Sequence, residues 1–414
     1  MTETFLHYLF DSRKLGRSFT TTEGEKIEVL NFGKLNKSSG PDFLEATLRY
    51  DKKIWAGHVE FHLKSSDWIK HGHHNDVAYK NVIAHFVYDH DKEIIIDKFK
   101  LPVVELKEKV SKEAFENYRQ VLNHQKIIPC EAFIPEIEQD IIHRQLNEVL
   151  RQRLDRKSEE YLAILKKYRG DQRKLYLFLM AKAMGGSNNK DAFITLIEKI
   201  DTTILAHLNF NPFKVEALFL GLSGLLETAR LDHPYLTALC TEFDYQRKLY
   251  QLHPLSKASW KFYGMRPAGH PVFRIVQLAA LSCKLNELDV QEDWSDLYLE
   301  MHPFWETHYN LSSETKKHNP QLSKGLQTNL IINVLVPYRY ALASFRNSEN
   351  EKEDVFRYLK QLPSERNSIV KMWQNFGVSV NHAGDSQALI ELKNNHCNEK
   401  KCLFCTIGRT VLKQ

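Results

Sequence analysis

The chain has no uninterrupted apolar stretch of membrane-spanning length, and no basic segment leading into an apolar run at its start. Neither a membrane-embedded protein nor a secreted precursor is therefore expected, and the cytoplasm is the expected compartment. Cysteine is scarce: Cys130, Cys240, Cys283, Cys397, Cys402 and Cys405 are too few to staple 414 residues with disulfides. With 17 glycines and 13 prolines the chain cannot be collagenous or of low complexity, and no repeat of fixed period is evident. Charge of either sign is not in large excess. The 57 basic and 52 acidic side chains leave +5, which permits contact with a phosphate polymer but requires any basic face to be local. What is present, 43% hydrophobic and 26% charged residues, is the composition of a globular protein, and the length suggests two or three domains.

Patterning divides the chain. Up to about residue 110, short strand-like runs alternate with turn signals, whereas from about 135 to 365 apolar residues recur at helical spacing. Strands are expected at Lys26 to Leu30, Glu45 to Tyr50, Ile54 to Lys64 and Asn81 to Tyr88, with a further one at Glu93 to Ile96 or Leu101 to Leu106. Helices are expected at Asp140 to Leu165, Arg173 to Met184 and Val215 to Leu226, the second closing at Gly185-Gly186. The expected fold is α+β or α/β. A mixed-sheet domain over 1–125 is followed by a mainly helical domain over 126–380 and a cysteine-rich tail over 381–414.

The informative stretch is Gly40-Pro41-Asp42-Phe43, followed by Trp55-Ala56-Gly57-His58-Val59-Glu60-Phe61-His62-Leu63-Lys64 and Ser65-Ser66-Asp67-Trp68. In an extended chain Val59, Phe61 and Leu63 point to one face and Glu60, His62 and Lys64 to the other. One face can then pack while the other carries an acid, an imidazole and an amine. Asp42 arrives from a Pro-fixed turn. These are suitable parts for holding a divalent cation and steering a water at a phosphodiester. The plainer alternative is a solvated sheet face, or a fold without catalysis.

These residues resemble the PD-(D/E)XK nuclease superfamily, in which a Pro-Asp pair ends one strand and acid-x-lysine follows on the next. The resemblance implies a restriction-endonuclease-like domain in which Asp42 and Glu60 bind magnesium or manganese. His62 stands at the lysine position, with Lys64 one pleat further on, so either would orient the nucleophile. Glu3, on a first helix with His7 one turn on, would supply the additional acid such folds often carry.

A second arrangement overlaps the first. His58, His62, His71, His73, His74, Asp76, His85 and His90 crowd into a short span, and imidazoles suit zinc, iron or manganese. No HExxH-like helical pair occurs, and His71 and His73 would share a face only in an extended chain. Most of these histidines are expected to be surface or hydrogen-bonding residues; His62, His71 and His73 are the best candidates for a working role, with Asp67 and Asp76 orienting them.

Near the C-terminus Cys397, Cys402 and Cys405 follow C-x4-C-x2-C spacing, which lets three thiolates face one centre. Cys130, His396 or His382 would fill a fourth position. The spacing leaves open zinc, an iron–sulfur cluster, or reduced cysteines without metal. With Cys130 as the fourth ligand the site would clip the tail back onto the first domain. Some members of the nuclease superfamily pin their ends with a four-cysteine iron–sulfur cluster, at a different spacing. Cys240 and Cys283 read as core fillers.

Between Trp260 and Gln277, aromatic and basic residues interleave. Arg266 and Arg274 are the candidate nucleic-acid contacts, the alternative being a connecting loop whose aromatics plug the core. Gly-Pro-Asp-Phe, Trp-x-Gly-x-Val-Glu-x-His, Ser-Ser-Asp-Trp, the Arg-Pro pair before a helix and the cysteine-rich tail together resemble an uncharacterised bacterial family, domain of unknown function 2851, over nearly the full length. That resemblance implies no particular activity. Three functions are therefore weighed: a metal-dependent nuclease or phosphodiesterase, a non-catalytic nucleic-acid-binding or assembly protein of the same fold, and a His/Asp metal-dependent hydrolase of a small substrate.

Overall fold

Alternating apolar and polar residues between Ser18 and Glu105 produce a mixed sheet, seen in a computed structural model that describes residues 1–36, 39–96, 99–123, 128–228, 233–284, 294 and 297–412. Its strands are β1 (Ser18–Thr20), β2 (Lys26–Asn31), β3 (Lys34–Leu35), β4 (Phe43–Tyr50), β5 (Lys53–Lys64), β6 (Val82–Asp89) and, beyond a small β7–β8 pair (Ile95–Ile96 with Phe99–Lys100), β9 (Val103–Glu105). The order is β1-β2-β4-β5-β6-β9, with β3 also paired to β4. The hairpin side is antiparallel, whereas β6 runs parallel to both β5 and β9. A parallel pair needs a crossover, and residues 65–81 supply it.

One glycine sets this crossover's landing. A Cβ on Gly57 would lie 2.5 Å from the Asn81 carbonyl oxygen and 2.5 Å from Ile83 Cγ2, so β6 can start beside β5 only because that side chain is missing. His58 N–H then donates to Asn81 O at 2.8 Å, starting the parallel pair.

Helix α1 (Glu3–Asp11), capped by the Thr2 hydroxyl accepting from Phe5 N–H, lays Phe10 against Phe19, Phe32, Phe43, Phe61 and Phe86. These rings are fully buried or nearly so, and they form the core on one side of the sheet. Tyr118, on α3 (Lys112–Asn123), stacks on Phe5 with ring centroids 4.6 Å apart. Crossover helix α2 (Asp67–Lys70) plants Trp68, with no exposed surface, beside Tyr79, Val82, Ile94 and Leu101 on the other side.

The remainder is helical, so the chain is α+β: a mixed sheet in the N-terminal part followed by a helical region. The expected helices form at Gln139–Lys167, Gln172–Met184 and Pro212–Leu222, and Gly185 does end the second. The chain separates into two compact units, one of residues 1–146, 371–379 and 389–414, the other of 147–370 and 380–388. The expected boundary at 125–126 falls outside the described residues.

Within the second unit Glu216 is fully enclosed, its Oε1 accepting from Tyr235 O–H at 2.7 Å and from Trp305 Nε1–H at 2.8 Å. Cys240 and Cys283 are half-buried on helices of this unit.

Candidate metal centre

From Val59 to His62, beside its parallel neighbour β6, strand β5 is covered on both faces. Phe61 turns toward α1. Glu60 and His62 turn the opposite way and are 4% and 2% exposed, beside His85 of β6 at 0%. The parallel register sets Glu60 directly next to His85.

The crossover then lowers two more imidazoles onto this face. His71 ends α2 and His73 opens the next turn, and between them Gly72 takes φ +77°, a left-handed conformation that costs glycine little. The two histidines converge through this turn and not through an extended chain. His73 is held by stacking on Tyr79, centroids 3.8 Å apart, and Trp68 packs against both His73 and His85.

The resulting distances are short. His62 Nε2 lies 3.1 Å from His71 Nδ1, Glu60 Oε1 lies 3.4 Å from His73 Nε2, and His62 Nε2 lies 3.7 Å from Glu60 Oε1. Metal–ligand bonds of about 2.0–2.1 Å give a tetrahedron with edges of about 3.3 Å. Among the described residues, His62, His71 and His73 are the one set of three or more His, Cys, Asp or Glu donors whose ligand atoms all lie within 4.8 Å of one another. Behind them, His62 Nδ1 lies 2.8 Å from His85 Nε2. If His62 Nε2 offers its lone pair to an ion, Nδ1 carries the proton and donates it to His85, the outer contact that ligating imidazoles usually make.

Asp42 sits at the head of β4, where that strand meets β5. Its N–H donates to Glu60 Oε2 at 3.0 Å, and its own Oδ2 accepts from Phe61 N–H at 2.9 Å. Each carboxylate is thus held by the other strand's backbone, and Glu60 is left with Oε1 turned toward the histidines. His7 Nε2 stands 3.1 Å from Asp42 Oδ2 without making a hydrogen bond to it. Glu3 feels the charges of Asp42, His71, His7 and Asp67, which places it beside the same cluster.

Burial, with the neighbouring Asp42 charge, pushes Glu60 up to about 9. Burial and the facing His73 and His71 push His62 down to about 4, and the same causes lower His73 and, far more, His85. Burial also raises Glu3. Burial thus favours the neutral form of His62, His73 and His85, the form that ligates metals, and disfavours the ionised form of Glu60.

Other expected site residues are not among these donors, although the charges of Asp67 and Asp76 reach His62 and His73 respectively. Lys64 is exposed at the end of β5, where its charge acts on Asp91. Asp67 Oδ2 accepts from Lys64 N–H, and Asp76 Oδ1 caps the turn at Ala78 N–H, so both carboxylates hold the crossover's backbone. In the second unit Arg266 is exposed, whereas Arg274 is partly buried and donates to Gln277 Oε1 at 2.9 Å. Trp260 is buried and donates to the Ser223 carbonyl at 2.8 Å, while Tyr263 is 97% exposed. Cys130, Cys397, Cys402 and Cys405 all fall in the first unit, and His382 Nδ1 accepts from Asp385 N–H in the first turn of the helix that follows it.

Sequence reasoning undervalued His85 and His7. His85 lies in the apolar run Val82-Ile83-Ala84-His85-Phe86-Val87, where a lone imidazole is the one polar signal. No curated protein and no solved structure matches the chain. A family model matches residues 3–368, nearly the whole chain, and on that ground the protein belongs to the family described as protein of unknown function DUF2851.

Proposed function

We propose that this protein hydrolyses phosphodiester bonds, nucleic acid being the substrate class, with one divalent transition ion held by Glu60, His62, His71 and His73. The observation carrying this reading is the convergence of His62, His71 and His73, whose ligand atoms all lie within 4.8 Å of one another, with Glu60 Oε1 3.7 Å from His62 Nε2 and 3.4 Å from His73 Nε2 beside them. The PD-(D/E)XK resemblance implies Asp42 and Glu60 together on the ion; in this reading Asp42 instead stands beside the ligand set, its Oδ2 accepting from Phe61 N–H next to Glu60.

A bound divalent ion supplies Lewis acidity toward a phosphoryl oxygen and lowers the pKa of a coordinated water. The chain's own residues divide the remaining work. His85 fixes the tautomer of His62, and the Asp42 backbone fixes the rotamer of Glu60. Asp42 and His7, whose side chains are 23% and 14% exposed, line the more open side together with Glu3, where a substrate can approach.

Three imidazoles favour manganese, iron or zinc, whereas magnesium demands an octahedron of oxygens, so of the two ions expected from the sequence manganese fits the donors better. Six-coordinate manganese or iron would keep two positions for water and substrate. Four-coordinate zinc would be saturated by the same four donors, and that count favours the second reading, a non-catalytic nucleic-acid-binding or assembly protein with a closed site.

The test loads purified protein with Mn²⁺, Fe²⁺ under anaerobic conditions, Zn²⁺ or Mg²⁺ and assays single- and double-stranded DNA, RNA and bis(p-nitrophenyl) phosphate. Cleavage with manganese or iron that disappears in His73→Ala and Glu60→Gln is expected. No cleavage with any ion, or cleavage surviving both substitutions, overturns the proposal, and tight zinc without turnover establishes the second reading.

A further inference from the structure

The cysteines form a second, separate cluster. Cys397 ends the turn Lys393–Cys397, and the chain reverses at once, Lys400 N–H donating to Cys397 O and Lys401 N–H to His396 O. Cys402 opens a short 3-10 turn closed by Cys405 N–H on its carbonyl at 3.3 Å, and Cys405 precedes the last helix, Thr406–Val411. That helix sits hard on the turn: a Cβ at Gly408 would meet Cys402 O at 2.3 Å. Gln145 Oε1 accepts from Thr406 N–H at 2.5 Å, and Lys14 Nζ donates to Leu412 O at 3.0 Å, tying the tail to the rest of the first unit.

Cys130, Cys402 and Cys405 are buried, Cys397 is half-buried, and none is in a disulfide. The four sulfurs lie within electrostatic reach: Cys405 and Cys402 act on Cys130, and Cys130, Cys405 and Cys402 act on Cys397. Four thiols gathered away from water, with no mutual bond, are a donor set that a positively charged centre can bridge. The charges of Lys393 and Lys400 act on Cys397 and Cys402 and would offset part of the negative charge of a thiolate set.

The span of the cluster selects what it holds. Zinc with Zn–S bonds of about 2.3 Å needs sulfurs about 3.8 Å apart. No three of these sulfurs all come within 4.8 Å of one another, since among the described residues only the histidine set does. A set this wide suits a polynuclear core, in which each thiolate binds a different iron. We infer that Cys130, Cys397, Cys402 and Cys405 ligate an iron–sulfur cluster that fastens the tail onto the first unit.

The experiment is purification of the full chain without oxygen, followed by measurement of iron, acid-labile sulfide and zinc, with visible and electron paramagnetic resonance spectra before and after dithionite. Iron and sulfide in about equal amounts, with visible absorption that bleaches on reduction, are expected. Cys130→Ser and Cys402→Ser should lose most of both, while Cys240→Ser and the site variant His73→Ala keep them. Should the first two variants fail to fold, the wild-type iron and sulfide content decides. Zinc without sulfide, or no iron and sulfide even after reconstitution with Fe²⁺ and sulfide, overturns the inference. Retention of both by Cys130→Ser does so as well. None of these outcomes bears on phosphodiester cleavage.

Discussion

His62 and His85 face each other across the parallel β5–β6 pair, Nδ1 to Nε2 at 2.8 Å, in a layer that water does not reach. His85 has its own Nδ1 buried without a hydrogen-bond partner among the described residues, so one of its two polar atoms is left unsatisfied in a structure that still retains it. A residue kept at that cost is expected to serve its neighbour.

His85→Leu should therefore weaken Mn²⁺ or Zn²⁺ binding on the order of 10- to 100-fold while the fold survives, and His85→Gln, which keeps an acceptor, should recover part of the loss. Titration calorimetry on the three proteins checks this. Equal affinity in wild type and His85→Leu would remove the role assigned to His85.

Metal should also stabilise the first unit. An ion that binds only the folded state, at a hundred times its dissociation constant, adds about 2.7 kcal/mol. Differential scanning calorimetry should show an upward shift of the first unit's transition with Mn²⁺ or Zn²⁺, reversed by chelator and absent in His71→Ala and His73→Ala.

Glu216 gives the second unit a dependence on pH. Complete burial raises its carboxyl from an ordinary value near 4.5 to about 7, with the hydrogen bonds from Tyr235 and Trp305 pulling only partly the other way. The folded state then holds the proton more tightly than the unfolded chain. Its contribution is complete below about pH 4.5 and is lost as pH rises through about 7, a fall of roughly 3 kcal/mol. Glu216→Gln keeps an oxygen for both donors and cannot ionise. The difference between wild-type and variant stability, followed by denaturant titration from pH 4 to 8, should show that slope; parallel curves would contradict it.

Gly57→Ala should destabilise the first unit by about 1–3 kcal/mol, because the new methyl meets the Asn81 carbonyl and Ile83 at the start of β6. Chemical denaturation measures the loss. Since β6 carries His85, the same substitution should weaken metal binding too.

The strands were legible because apolar residues alternate with polar ones in runs such as Val59, Phe61 and Leu63, although both faces there are buried, and the long helices because apolar spacing persists over many turns. The convergence of His71 and His73 was not legible. It depends on the left-handed bend at Gly72 and on a parallel crossover that carries the loop back over β5, neither of which leaves a local pattern. His85 was hidden for the opposite reason: its surroundings are so apolar that it reads as core. Cys130 lies more than 260 residues from the tail cysteines, and only a folded first unit shows which fourth group stands near them.

The reciprocal hold of Asp42 and Glu60 bears on how the chain can be dissected genetically. Removing either carboxylate frees an N–H that it had anchored on the opposite strand, so a truncation at one position also disturbs the other. Single alanine variants at these sites should each resemble the double variant, and a double-mutant cycle should depart strongly from additivity. Amide replacements, which keep one oxygen acceptor while removing the acid, are the substitutions that can separate chemistry from scaffolding here.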